Sequence, residues 1–523
     1  MNQPWIDVLS RSGRAPTRAA KSIVLEAWAW RPAKRHLLLL AALLLAGCAV
    51  GPDFQRPAAP TVSDYGPKPA SSTVATAQVT GGQAQHFVRG GDVPADWWTL
   101  FHSPALNALI EQSLAHNPDL KAAQAALSVA RETTLAGRGA YYPHVSAGLS
   151  ASREQDPPGA LAPVPSNNAF LYSLFTPQVS VSYVPDVFGL NRRTVESLKA
   201  QQQGVRYQMV ATYNTLTTNV VVAAIQVASL QQQIAITRKL VADNNDMLGI
   251  LRYQLKKGYA SGVDVAAQET QAAAIGATLP PLLHQLDQQQ HRLAVLSGRF
   301  PGEVKDQNFD LSSLQLPGEL PLSLPSKLVA QRPDVLQAQA NLHAASAQIG
   351  VAIANRLPNI ELSAGAGSTA LAIDQVFHAG TGFWNIGAAI AAPIFEGGTL
   401  LHQERAAKAA YVQAAEQYRS TVLTAFQDVA DTLSALQQDA AGLQAAAKEA
   451  DAAATSLKLS QQLVRDGDAS HLQLLIAEQA SQQAQIALIQ AQASRYADTA
   501  ALYQALGGGW WQRKDPDWNP HEE

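Results

Sequence analysis

The sequence predicts an α+β membrane protein in which a unit of helix, strand, strand, very long helix and return helix occurs twice. Three observations carry that reading: motifs that recur in a fixed order, long helices with a heptad spacing of apolar residues, and four short segments that alternate with period two. Hydrophobic residues make up 47% of the 523-residue chain but charged residues only 15%, against about 25% in ordinary soluble domains. A mean hydropathy of -0.06 shows that the apolar content, largely Ala diluted by Gln, Ser and Thr, does not form several continuous membrane helices. The net charge of -3 leaves no basic footprint for nucleic acid.

At the amino terminus, Leu37 to Leu45 is an unbroken apolar run preceded by Arg31, Lys34 and Arg35. It is too short to cross roughly 30 Å of hydrocarbon but fits the core of a signal peptide, here residues 1–47, behind a long basic region from Met1 to His36. Cys48 is the sole cysteine, which excludes an internal disulfide, a CxxC pair and a cysteine metal cluster. Leu45-Ala46-Gly47-Cys48 resembles the lipobox of bacterial lipoproteins. That resemblance implies that Cys48 becomes the first mature residue, with an S-diacylglyceryl thioether and an N-acyl chain, and that no other cofactor is needed. Ala49, in place of Asp, resembles the pattern sorted to the outer membrane.

Residues 48–95 follow as an extended, Pro-, Gly- and Thr-rich segment without a core of its own. The first repeat, 96–310, opens on Asn117-Pro118-Asp119-Leu120, and the second, 331–509, on Arg332-Pro333-Asp334-Val335. A Pro/Leu-rich linker, 311–330, separates them, and 510–523 form a tail with Trp510, Trp511 and Trp518. In each repeat an Ala/Gln-rich helix ends at a proline, Pro143 or Pro358, and two alternating segments then lead to a break, Pro185 to Gly189 or Pro393 to Gly397.

The long helices are expected from about Leu190 to Lys257 and Leu400 to Arg465, each on the order of 100 Å at 1.5 Å per residue. In the first, Leu216, Val220, Ala223, Val227, Leu230, Ile234, Thr237, Val241, Asn244, Leu248, Leu251 and Leu255 keep the heptad step. In the second, Val422, Phe426, Val429, Leu433, Leu436, Ala440, Leu443, Ala447, Ala450, Ala454, Leu457, Gln461 and Val464 do so. Turns at Gly258 to Gly262 and Gly467 to Ser470 precede return helices at about Val263 to Leu296 and Leu472 to Leu506.

The strands are expected at His144 to Ser152, Gln178 to Val184, Asn359 to Ser368 and Trp384 to Ala392, joined by loops at Arg153 to Pro177 and Thr369 to Phe383. Val145, Ala147, Leu149 and Ala151 alternate with Ser146, Gly148, Ser150 and Ser152, and the other segments follow suit. Such alternation over about 9–11 residues suits a membrane strand between lipid and a wet lumen. A pair of soluble hairpins packed on the helical body is the other reading of the same pattern. Four strands cannot close a barrel and open edges are not tolerated in lipid, so membrane strands require an oligomer of two or three copies at least.

In combination these features resemble the TolC-like outer membrane efflux protein family, in its lipoprotein branch that serves RND-type pumps. The residues that carry the match are Cys48 to Pro57, Asn117 to Leu120, Tyr142-Pro143, Tyr183 to Gly189, Arg332 to Val335, Ala392 to Gly398, and Leu506 to Trp510. The resemblance implies a homotrimer with a twelve-stranded outer-membrane β-barrel continued by a periplasmic α-helical coiled-coil barrel. It further implies a periplasmic adaptor and an inner-membrane RND transporter as partners. Lacking a GxxxxGK phosphate loop, the chain is expected to be a passive conduit and not an enzyme. The outlet of a type I toxin secretion system and a non-channel coiled-coil structural lipoprotein are the alternatives.

The family's periplasmic mouth closes near the turn before the last helix, here Val464 to Leu472. Arg465 and Leu472 match positions of that constriction, whereas Ile476 and Gln473 stand where the family commonly carries acids. Glu478 and Asp264 are the candidate substitutes for the missing charge, and Leu472 with Ile476 the candidate narrowing. His284 and His291 lack a surrounding ligand set, and with three Met in the chain no soft-metal path is expected.

Overall fold

A computed structural model describes residues 49–66, 71–155, 171–303 and 309–513. Cys48, the signal peptide and Trp518 lie outside the described residues. In chain order the elements are β1 (His86–Arg89), α1 (Pro104–His116), α2 (Pro118–Arg138), β2 (His144–Gln155), β3 (Leu171–Tyr183), α3 (Leu190–Lys257), α4 (Gly262–Leu296), β4 (Glu319–Leu322), α5 (Pro325–Gln331), α6 (Pro333–Ala354), β5 (Asn359–Ser368), β6 (Gly382–Ala391), α7 (Thr399–Asp466) and α8 (His471–Ala505). The long helices α3 and α7 have 68 residues each, and the return helices α4 and α8 have 35 each. Among the described residues two compact units result: 49–51, 140–193 and 350–400 form one, and those within 52–139, 194–349 and 401–513 the other.

The first unit is a four-stranded antiparallel sheet in the order β2-β3-β5-β6. Its register gathers the apolar positions on one face, because Val145, Ala147 and Leu149 pair with Val181, Val179 and Pro177, and Val181 and Val179 with Ala364 and Ala366. Leu362, Ala364 and Ala366 in turn oppose Ala388, Ile386 and Trp384. Those apolar side chains are exposed, Trp384 by 76% and Ile386 by 78%.

The sequence reading placed a loop from Arg153 to Pro177, but β2 runs on to Gln155 and β3 begins at Leu171. Pro177 misleads because proline normally ends a strand. In β3 it forfeits hydrogen bonding on one side only. Pairing with β2 passes through Leu149↔Pro177 without a break, while the β5 ladder, which begins at Gln178↔Gly367, is interrupted there and reappears at the Phe175–Ala370 bridge. Gly367 answers the proline: a Cβ there would lie 2.5 Å from the Pro177 carbonyl oxygen.

The second unit is helical. Along α3 the heptad positions from Leu216 to Ile234 are buried, as are Thr237, Asn244, Leu248 and Leu251, and the stripe surfaces only at Leu255. Along α7 the expected seam holds to Leu443 and then slips. Ala446 and Ser460 are buried while Ala454 and Gln461 are exposed, since Ala and Gln bury too little apolar area to hold a register. The window of α3 apolar enough to cross a membrane is mostly buried in this packing.

The linker and the amino-terminal segment also differ from expectation. Leu311, Leu314, Leu316, Leu320 and Leu322 are buried, and β4 pairs in parallel with β1 of the supposedly extended segment. Each segment supplies the edge and the apolar side chains that the other lacks. Trp97 stacks on Tyr503 with centroids 5.2 Å apart, and Trp510 donates its Nε1–H to the Gln331 carbonyl at 2.7 Å, so the tail aromatics pack rather than line a ligand box.

The two Pro-Asp motifs reach the same target with different chemistry. Asn117 Oδ1 caps α2 by accepting from the Leu120 N–H at 3.0 Å, and its Nδ2 donates to the carbonyl of Leu296, the last residue of α4. Arg332 pairs with Asp334 and Asp428 at 2.6 and 2.8 Å, and its Nη1 donates to the carbonyl of Ala505, the last residue of α8, at 3.0 Å. Nearby, Asp439 of α7 faces Asp498 of α8 beside the buried Arg495. Burial, then the Asp498 carboxylate, push the Asp439 carboxyl up to about 7 against the pull of Arg495. Its Oδ2 is buried without a donor, which adds to the cost of ionising this carboxyl.

Two outcomes are expected. Gly367→Ala destabilises the sheet by about 1–3 kcal/mol, read as loss of protease-resistant folded protein, while Gly148→Ala, with open space around it, is neutral. Because the folded value of Asp439 lies above its unfolded value, its contribution is full only below the ordinary aspartate pKa of 3.8 and is lost as pH rises through about 7. Thermal unfolding temperature therefore falls over that range, and Asp439→Asn flattens the fall.

Candidate functional site

The second face of the sheet is built from small neutral residues. Ser146 opposes Ser180 with hydroxyls 3.3 Å apart, Gly148 opposes Gln178, and Ser182 opposes Ser363. Gly365 lies under the Asn385 amide, where a Cβ would come within 2.9 Å of Oδ1, and Gly387 lies under the Ser363 hydroxyl. Glu154 and Glu361 are the carboxylates on this face of the four strands, and Tyr172, Leu174 and Phe383 also stand on it. Hydroxyls and amides of this kind hydrate readily and select weakly, and Glu154 accepts from the Ser152 hydroxyl at 2.7 Å. Strands of 10 to 13 residues with one apolar and one hydrated face match the thickness of a bilayer. Sequence alternation located this face, but not the part from Leu171 to Pro177 that Pro177 concealed.

At the far ends of the long helices the two turns share one chemistry. Gly258 and Gly467 take φ of +81° and +84°, and Ser261 and Ser470 follow as N-caps. The Tyr259 N–H donates to the Gln254 carbonyl at 2.9 Å and the Asp468 N–H to the Leu463 carbonyl at 2.8 Å, closing both helices in the same way.

Around these turns the structure separates the candidate gate residues into four environments. Asp264 completes a capping box, accepting from the Ser261 N–H at 2.9 Å and hydroxyl at 2.7 Å. Glu478 is half-buried, and burial followed by the nearby Asp243 raises its carboxyl above the usual range. Arg465 donates Nε to the carbonyl of Gln461 on its own helix. Leu472 and Ile476, one turn apart on α8, are 59% and 61% exposed, whereas the intervening Leu474 and Leu475 are buried. One chain thus presents an apolar pair and holds its nearby acids in other contacts.

A family model described as outer membrane efflux protein matches residues 109–299 and 324–508. The chain is 31% identical over 482 residues to the probable efflux pump outer membrane protein TtgC of Pseudomonas putida, covering 91% of this chain and 96% of that protein. With the pyoverdine export outer membrane protein OpmQ of Pseudomonas aeruginosa it shares 30% identity over 427 residues, covering 79% and 87%. Among solved structures, the outer-membrane channel OprN aligns with a TM-score of 0.77 at 27% identity over 89% of this chain and 100% of that chain. VceC of Vibrio cholerae aligns with a TM-score of 0.72 at 26% identity over 79% and 99%. The two-faced sheet, the paired long helices and matches over most of the length lead to one conclusion: the chain belongs to the outer membrane efflux protein family.

Proposed function

We propose that the protein is the passive outer-membrane channel of a tripartite RND-type efflux system that exports small molecules. The observation that carries this is the four-stranded sheet, apolar on one face and hydrated on the other, whose outer strands β2 and β6 each pair on one side only among the described residues. In hydrocarbon those edges must find partners, and three copies joined β6 to β2 make a closed twelve-stranded barrel. The equal lengths of the corresponding helices support descent from one duplicated unit, with repeats at 96–310 and 331–509. Residues 1–47 serve as the signal peptide, and Cys48 carries the lipid that holds the mature chain to the membrane.

Transport energy comes from outside the chain, from an inner-membrane RND transporter linked through a periplasmic adaptor. The names of the relatives, an efflux pump protein and a pyoverdine export protein, favour small-molecule cargo over secreted polypeptides. At the periplasmic end Leu472 and Ile476 form an apolar narrowing, with Arg465 at its rim. Glu478 and Asp264 support it from their buried and capping positions.

Purified lipoprotein in planar bilayers is expected to conduct ions as a trimer; a monomer, or a trimer without conductance, overturns the channel reading. Leu472→Ala and Ile476→Asp are each expected to raise the open probability or conductance severalfold, on the order of 1 kcal/mol of closure lost per apolar contact. Unchanged conductance in both removes the apolar narrowing.

A further inference from the structure

Three glycines meet at the junction between β3 and α3. Gly189, at φ +82°, immediately precedes α3, and a Cβ there would lie 2.6 Å from the Cβ of Ala49. Gly350 sits inside α6, where a Cβ would fall 2.7 Å from Arg193 Cγ and 2.9 Å from the Val50 carbonyl oxygen. Gly51, at φ +93°, would place its own Cβ 2.4 Å from Gly350 Cα. Backbones approach this closely only where side chains are absent.

The gap holds residues 49–51. The Val50 N–H donates to the Phe188 carbonyl at 3.1 Å. Arg193, only 4% exposed, donates Nε to the Val50 carbonyl at 3.0 Å and Nη2 to the Gly51 carbonyl at 3.2 Å. Bonds from an ionised donor to buried carbonyls are the stronger kind, and on the proposed cleavage before Cys48 these residues would be the start of the mature chain, where ends ordinarily fray unless tied down.

We propose that Gly189, Arg193 and Gly350 form a seat for the lipid-bearing amino terminus, with Arg193 as its positioning residue. This rests on the lipoprotein reading of Cys48 and deepens it. Ala49, the residue bonded to Cys48, touches the seat, so the thioether has almost no tether between it and fixed backbone. The seat therefore places the headgroup plane of the periplasmic leaflet at the Phe188–Gly189 junction. The anchor and the apolar face of the sheet, which ends nearby at Tyr183, then share that leaflet.

The test uses full-length protein in lipid nanodiscs, as wild type, Arg193→Ala, Arg193→Lys and Gly350→Ala. Hydrogen exchange of the peptide containing Val50 reads the seat, and the mass of the amino-terminal peptide reads acylation separately. With Cys48 acylated throughout, exchange is expected to be slow in wild type and about tenfold or more faster in Arg193→Ala and Gly350→Ala, with partial recovery in Arg193→Lys. Gly350→Ala retains the arginine and carries the test should Arg193→Ala not assemble. Wild-type exchange rates in the variants, or a wild-type peptide that exchanges freely, overturn the seat. An unmodified Cys48 defeats the lipoprotein reading beneath it and is recognised by mass, not by exchange.

Discussion

The structure turns on the backbone hydrogen bonds of the four-stranded sheet. In water an unpaired strand edge is a nuisance; in hydrocarbon each unpaired N–H or C=O costs several kcal/mol, so an edge must be closed. The register brings most apolar positions of β2, β3, β5 and β6 to one face, which fits the sheet for lipid. In the proposed trimer the joint is made by the sheet's own edges rather than by a separate adhesive surface. Even the proline in β3 obeys the rule, since it interrupts one ladder while the other runs through.

The helical unit answers a different constraint, that of holding helices 68 residues long together with few large side chains. Alanine, threonine and asparagine share the α3 seam with leucine and valine, which permits close approach and explains the low charge of the chain. Beyond Leu443, where Ala and Gln predominate in the α7 seam, its register loosens. Stability is recovered at discrete points: Asn117 and Arg332 each grip the last carbonyl of a return helix, one with a neutral amide and the other with a buried cation paired to two carboxylates. The shared Pro-Asp motif fixes the position of that grip, and the residue before it sets the chemistry.

Long-period features were legible in the sequence, and tertiary pairings were not. Heptads located α3 and α7 to within a residue, because each helix position is set by its neighbours one and two turns away. Alternation found β5 from Asn359 to Ser368 in full. The start of β3 was hidden because Pro177 is a breaker unless a glycine, here Gly367, makes room across the sheet. The β1–β4 pair was invisible for a related reason, since its partners lie more than 200 residues apart and neither alternates strongly alone. At the turns, residue type located Asp264 and Glu478 but not their local partners, the Ser261 cap for one and the nearby Asp243 for the other.

The return helices have the same length and are gripped at corresponding points, yet their ladders are not equal. Helix α4 contains Pro280 and Pro281, which remove two hydrogen bonds from its ladder, and α8 contains no proline. With the start joined to α3 through a tight turn and the last carbonyl held by Asn117, sliding along the axis would break contacts at both ends of α4. Bending at the proline pair breaks none that are not already missing. Helix α4 therefore lacks, near its middle, two ladder hydrogen bonds that α8 keeps along its whole length.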